Sequence, residues 1–282
     1  LVLIIKGKLQ PLIAILIAAL SIGLIAGMPV SMIVDTVNKG MGETLKGIAL
    51  LVGLGSMFGA ILEISGGAER VALTMMHKFG EKRAPWALGL TGMVVAIPVF
   101  FDAGLIILIP LAFSIARRAK KSTLYFVIPL LAGLAVGHSF IPPTPGPVLV
   151  ANILGVDLGL VIGLGLICGA VAMIVAGPLF GKFCGDHYDI PVPEQYLNTP
   201  EYDEEKLPSF ASVVGIIMIP LGLILINSVL GQMPEGGFAD YLRPVFHFLG
   251  TPFIALLLAT LTAMYLLGVK PVSYTHLTLP TK

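Results

Sequence analysis

Long apolar runs recur along the chain, separated by short polar stretches. They fall at about 1–5, 10–27, 46–64, 86–116, 124–156, 158–181, 209–230 and 247–268. A helix needs roughly 20 apolar residues to cross the hydrocarbon layer, so the pattern predicts an all-α polytopic membrane protein. One long polar connector, "GDHYDIPVPEQYLNTPEYDEEKLP" (Gly185–Pro208), is acidic and proline-rich, and reads as a solvated cytoplasmic linker over 185–208. The segment Gly66–Arg83 sets Val71, Leu73, Met75, Met76 and Phe79 among charges. That spacing predicts an amphipathic helix lying on the cytoplasmic surface.

Composition supports the same class. Hydrophobic residues make up 56% of the chain and charged residues only 12%, against roughly 25% charged in a soluble domain. A net charge of +1 gives no electrostatic case for nucleic acid. Cys168 and Cys184 lack metal-ligand spacing, and no disulfide framework is expected. The chain opens on "LVLII", which reads as the end of a helix, and closes on "VSYTHLTLPTK", whose character changes abruptly. Residues 271–282 are therefore expected to be a non-native tail and the chain a fragment.

Lysine and arginine positions orient the spans. With Lys6 and Lys8 inside, 10–27 runs outward and 46–64 returns, which puts Arg70, Lys78, Lys82 and Arg83 inside. The cluster Arg117, Arg118, Lys120 and Lys121 follows 86–116. Both flanks of that run are basic, so both lie on one side. It is too long for one upright helix and too short for two crossings, which predicts a re-entrant hairpin over 86–116, with Pro98 and Pro110 bracketing its middle. Irregular backbone at its tip is tolerable only against protein or a wet cavity. From there 124–156 exits, 158–181 returns, and 209–230 and 247–268 repeat the cycle. Only Lys39, Lys46 and Arg243 then lie outside, the tail residue Lys282 aside.

The run 124–156 is also too long, yet its flanks lie on opposite sides. It carries "HSFIPPTPGPVLVA", with Pro142, Pro143, Pro145 and Pro147 close together. Each proline removes a backbone donor and clashes with the preceding turn, so the run is predicted to be a broken helix. Thr144 can cap its second half, with Pro145 at the first helical position. Broken helices mark the midplane site of secondary transporters, because the start of each second half exposes free amides that attract an anion. The amides around Gly104–Ile106 and Gly146–Leu149 are the predicted donors.

Asp102 is the only charged residue between Arg83 and Arg117, and His138 the only ionisable group between Lys121 and Asp157. A charge at membrane depth costs roughly 2.5–3.5 kcal/mol on insertion scales. Desolvation there favours a neutral carboxyl, which makes Asp102 the candidate proton carrier, with His138 as the alternative. Phe101, Asp102, Ala103 and Gly104 at the hairpin tip, and His138, Ser139, Pro143, Thr144 and Gly146 at the break, form the candidate substrate-binding set. Glu63 reads as a solvated helix end, and Gly55 and Ser56 as packing residues. No metal site and no cofactor are expected.

The stretches "GLGSMFGAILEISGGAERVA", "VFFDAGLIILIPLAFSIA" and "HSFIPPTPGPVLVANI" resemble the gluconate permease family of bacterial sugar-acid:proton symporters. The resemblance runs from the start to about Lys270 and covers somewhat more than half of a typical member. It implies an inverted-repeat fold of the ion-transporter superfamily, truncated here. Residues 1–184 would be the first membrane repeat, and 209–270 the start of the second. It further implies a multi-pass protein of the bacterial inner membrane that imports gluconate or a related sugar acid with a proton. The partners would be that substrate and the lipid bilayer, with a homodimer as the candidate assembly. Sugar acids are favoured by the resemblance alone. The rival within the class is a sodium- or proton-coupled di- or tricarboxylate carrier, or an inactive fragment. Enzymes are disfavoured: the spans around Asp102 offer no second carboxylate for an aspartyl hydrolase, and no cluster of ligands for a metal. A selective channel would show rings of repeated polar groups.

Overall fold

The computed structural model of the chain describes residues 1–196, 204, 207–234, 237 and 239–269. The predicted tail 271–282 and part of the linker lie outside the described residues. All regular structure among the described residues is helical. The chain divides into two compact units, Leu1–Ala49 and Leu50–Lys282.

The first unit holds α1 (Val2–Ile5), α2 (Pro11–Ile25) and the opening turns of α3 (Val30–Ile64). Gln10 starts α2 by accepting from the Ile13 amide at 3.2 Å, and Pro11 takes the position where its missing N–H does no harm. Gly23 lets Ile33 approach; a Cβ there would stand 2.9 Å from the isoleucine Cγ1. Helix α3 begins well before the apolar run at 46. Asp35, Lys39, Glu43 and Lys46 stay exposed along it, and Lys39 pairs with Glu43 one turn on at 4.0 Å.

The second unit contains the remaining turns of α3, α4 (Gly67–Phe79), α5 (Ala84–Val95), α6 (Phe101–Ala119), α7 (Leu124–Phe140), α8 (Pro145–Leu154), α9 (Leu158–Ile174), α10 (Phe180–His187), α11 (Phe210–Gln232), α12 (Ala239–Leu249) and α13 (Pro252–Ala263). Among the described residues four helical stretches are long and apolar enough to cross a membrane: α3, Leu124–Leu154, Leu158–His187 and α11. The bent pair Ala239–Leu249 and Pro252–Gly268 makes a fifth if counted as one span. Neither α5 nor α6 is among them.

The centre of this unit is the pair α5 and α7, packed backbone to backbone. A Cβ on Gly92 would lie 2.6 Å from the Leu130 carbonyl oxygen and 2.9 Å from the Leu134 nitrogen. Gly133 faces the Gly89 carbonyl, and Gly137 faces that of Met93. Lipid supplies no hydrophobic drive between helices, so close approach through small residues is how they hold. Around this pair Phe58, Leu62, Leu88, Leu108, Leu130, Leu134 and Ile217 form the main core.

Three expectations change here. The run 158–181 continues to His187 through a wide π turn at Val175–Leu179, which accommodates the donor missing at Pro178. The run 247–268 is divided by Gly250 and Thr251 into α12 and α13, 73° apart. Helix α4 is helical as expected, but Ala68, Val71 and Ala72 are buried in the main core. Its apolar face packs on α5, α6 and α11 rather than on a lipid surface.

The described part of the linker is likewise held against protein. The Thr123 amide and hydroxyl both donate to the Ile190 carbonyl, at 2.9 and 3.0 Å. The Tyr196 ring meets that of Phe113 at 4.7 Å between centroids, tilted by 48°. Arg70 of α4 donates to the Pro208 carbonyl at 2.8 Å and to those of Glu204 and Leu207.

Candidate functional site

Two interruptions meet in the second unit. The first lies between α5 and α6. Helix α5 ends at Val95, where the Ala96 amide donates to the Gly92 carbonyl at 2.9 Å and the Val99 amide to the Val95 carbonyl at 3.3 Å. Pro98 follows, and Phe100 turns extended at φ −62°, ψ 146°. Helix α6 then starts at Phe101, and its first helical bond runs from the Gly104 amide to the Phe100 carbonyl at 2.9 Å. The amides of Phe101, Asp102 and Ala103 are the orphan donors of this helix start, and Phe100 has no side-chain oxygen to cap them. The open donors thus lie three residues earlier than the predicted Gly104–Ile106.

The second interruption separates α7 from α8. Helix α7 stops at Phe140, Ile141 is extended, and α8 starts at Pro145. Thr144 stands at the cap position, but its hydroxyl donates backward to the Ile141 carbonyl at 2.7 Å and makes no cap bond. Pro145 and Pro147 have no N–H, and the Val148 amide bonds the Thr144 carbonyl at 3.3 Å. Of the predicted donors Gly146–Leu149, only Gly146 keeps an amide without a helical acceptor in this first turn.

The two breaks enclose one tight cleft. Ile97, Pro98 and Phe100 line it from the first, and His138, Pro143 and Thr144 from the second. The Phe100 and His138 rings touch at 5.6 Å between centroids, tilted by 57°. Leu51 and Gly55 of α3 and Leu256 of α13 complete the wall. On its other side His138 borders a wider, largely apolar groove shared with Ser139, Gly146, Val150 and Cys168. The His138 Nδ1 is buried without a hydrogen-bond partner among the described residues.

The candidate residues therefore divide. His138, Pro143 and Thr144 line the cleft, and Ser139 and Gly146 join His138 in the groove. Phe101 and Ala103 are half-buried against the main core. Gly104 is buried where a Cβ would meet Leu134 at 2.8 Å. Asp102 is exposed on the first turn of α6, not enclosed by this chain's own packing. The sequence marks Pro98 as a helix breaker but not as a cleft residue, and gives no site role to Phe100, Ile97, Leu51 or Leu256. Pro98 and Phe100 stood beside the predicted tip and could have been found there; Leu51 and Leu256 carry no chemical signal. Gly55, read as a packing residue, leaves room for the Phe100 ring, whose Cε2 would be 3.6 Å from a Cβ there. No group of three or more His, Cys, Asp or Glu close enough to hold a metal occurs among the described residues.

Comparison with known proteins adds kinship to this geometry. The family model described as "GntP family permease" matches residues 1–278. The chain is 38% identical over 269 residues to the low-affinity gluconate transporter of Escherichia coli (strain K12), covering 95% of this chain and 59% of that protein. It is 38% identical over 271 residues to a gluconate permease of Pseudomonas aeruginosa, with 95% and 59% covered. Against the D-serine transporter of Escherichia coli (strain K12) it is 36% identical over 275 residues, with 95% and 60% covered. The chain thus spans about three fifths of the length of these relatives. No solved structure matches it significantly.

Proposed function

The chain belongs to the GntP family of permeases, and from that premise we propose a proton-coupled symporter that imports gluconate or a related sugar acid. Family and apolar helices together make it a multi-pass protein of the bacterial inner membrane, and a transport protein rather than an enzyme. Within this proposal α5 and α6 form a re-entrant hairpin, and α11–α13 open a second, inverted repeat. The basic flanks of the hairpin support the first assignment.

One observation carries the reading: two broken helical segments meet at a cleft beside an uncapped helix start and a half-buried histidine. An anion is favoured where bare amides and the positive end of a helix coincide. The substrate carboxylate would lie against the first turn of α6, with the Gly146 amide opposite. His138, Ser139 and the free lone pairs of Thr144 would bond hydroxyls. Asp102 sits on the same turn of α6, which suits it to carry the coupled proton, with His138 as the alternative carrier.

The relative named for D-serine favours a second reading of substrate. Gluconate and D-serine share a carboxylate and at least one hydroxyl, and His138 at the cleft with Ser139 and Gly146 in the adjoining groove would serve both features. Uptake by the full-length protein in vesicles, with proton movement recorded, separates these readings. Labelled gluconate should accumulate with protons and be displaced by sugar acids. Stronger displacement by D-serine moves the substrate class, and sodium-dependent displacement by citrate or succinate defeats the proposal. Asp102→Asn should abolish coupled accumulation; undiminished accumulation removes Asp102 from its role.

A further inference from the structure

Two amphipathic helices, α4 and α12, flank the spans of the second unit, and they dispose of their apolar faces differently. Helix α4 buries its own against α5, α6 and α11. Helix α12 has no buried residue at all. Its apolar stripe is Tyr241, Val245 and Phe248, exposed at 82%, 52% and 61%. Spacings of four and three residues put them on one face.

On the polar side of α12, Arg243 and Asp240 are engaged with protein. The Arg243 Nε donates to the Leu230 carbonyl at 3.0 Å, and its Nη2 donates to those of Met233 and Pro234. Its Nη1 pairs with Asp240 at 2.8 Å. These carbonyls belong to the C-terminal end of α11 and the residues just after it, where a helix lacks its own donors and favours a cation. One guanidinium thereby fixes which way α12 turns.

Direction is set at the other end. Helix α12 meets the Pro252–Gly268 stretch at 73°. Gly250 closes the bend, its amide donating to the Phe246 carbonyl at 2.7 Å, and a Cβ there would lie 2.7 Å from the Leu223 carbonyl oxygen. Spanning helices tilt about 20° on average from the bilayer normal. A helix 73° away from such a span runs close to the membrane plane. It could not cross in any case: eleven residues reach about 16 Å, half of the hydrocarbon thickness of about 30 Å. Phe253, Leu257, Leu261 and Tyr265 of the Pro252–Gly268 stretch are exposed as well.

We propose that α12 lies in the membrane–water interface, with Tyr241, Val245 and Phe248 set into the boundary between lipid headgroups and acyl chains. Aromatic side chains suit this depth, the tyrosine hydroxyl reaching the headgroups while its ring stays in the apolar layer. A second copy of the chain is a poorer occupant. Three side chains offer roughly 500 Å², below the approximately 800 Å² per partner of a stable interface. With Arg243 turned inward, apolar burial rather than attraction to anionic lipid holds the helix.

Depth-dependent quenching of single tryptophans tests this in the full-length protein, reconstituted in phosphatidylcholine vesicles. Trp86, the only tryptophan of this chain, is replaced by phenylalanine along with any beyond it, and Tyr241→Trp or Phe248→Trp supplies the probe. Leu257→Trp on α13 serves as the deep control. Lipids brominated near the top of the acyl chain should quench both α12 probes about twofold, and more strongly than lipids brominated near its end. Quenching by neither lipid means that protein covers the stripe, and stronger quenching by the deep bromines means that α12 dips into the bilayer interior; either result overturns the proposal. The two probes are separate conservative variants, and retained monodisperse elution shows that each has folded.

Discussion

The His138 ring stands 5.6 Å from the Phe100 ring, tilted by 57°, and this contact joins the break after α5 to the break after α7. Neither helix end could hold the histidine alone. Gly137 sits against the Met93 carbonyl and draws the end of α7 onto α5. Gly55 lies on the far side of the phenyl ring, where an added Cβ would stand in ordinary contact, 3.6 Å from Cε2. The ring pair is the structural hinge of the candidate site.

Phe100 touches His138 without offering a polar atom, so its removal tests positioning apart from chemistry. An aromatic pair is worth roughly 0.5–1.5 kcal/mol beyond its buried area. Phe100→Ala in the full-length protein should therefore raise the half-saturating substrate concentration up to about tenfold. Phe100→Tyr, which keeps the ring, should leave it near the native value. Initial uptake rates across a range of substrate concentrations measure both. An alanine variant with native saturation would show that the ring contact does not place the histidine for binding.

The second test concerns the scaffold beneath the site. A Cβ on Gly92 would sit 2.6 Å from the Leu130 carbonyl oxygen and 2.9 Å from the Leu134 nitrogen. Both are backbone atoms of a neighbouring helix and cannot rotate away. Gly92→Ala should force α5 from α7 and cost about 1–3 kcal/mol, as overpacking does. Gly163→Ala in α9, where nothing lies within 4 Å of the added carbon, should instead stabilise by roughly 0.5–1 kcal/mol through helix propensity. Thermal unfolding in detergent reads both directions. Equal midpoints for the two variants would remove the argument that these helices are held by backbone contact.

Much of this architecture was legible because prolines and hydropathy act locally. Pro98 and the group Pro142 to Pro147 lack donors wherever they stand, so the interruptions were readable, and His138 and Thr144 at the cleft with them. What depends on neighbours was not readable. Amphipathicity gives α4 and α12 an apolar face but does not say what covers it; a core covers one and no described residue buries the other. The start of α6 was misplaced by three residues, nearly a full turn, and the expected open amides moved with it. Thr144 has the right type and position for a cap. Its hydroxyl turns to the Ile141 carbonyl instead, because extended Ile141 leaves that acceptor without a helical partner. The bend at Gly250 lies inside an unbroken apolar run, where hydropathy carries no direction.

Glu69 supplies a pH dependence outside the spans. It lies in the first turn of α4, and its Oε2 is buried with no hydrogen-bond partner among the described residues. Burial pushes its pKa from 4.5 up to about 7, with the like charge of Glu63 adding to the rise and a backbone hydrogen bond opposing it. The nearby cation Arg70 is occupied by Glu204 and by the carbonyls of Leu207 and Pro208, and His77 also faces Glu204, at 3.5 Å. The folded state therefore binds this proton more tightly than the unfolded chain. Stability falls as pH rises from 4.5 through about 7 and levels off above, because the unfolded state releases its proton first. Glu69→Gln removes that slope. Its unfolding midpoint in detergent should match the native protein below about pH 4.5, exceed it increasingly up to about pH 7, and exceed it by a constant margin above. A native protein whose midpoint, relative to the glutamine variant, stays constant across this window would mean that the carboxyl is solvated or paired in the folded state.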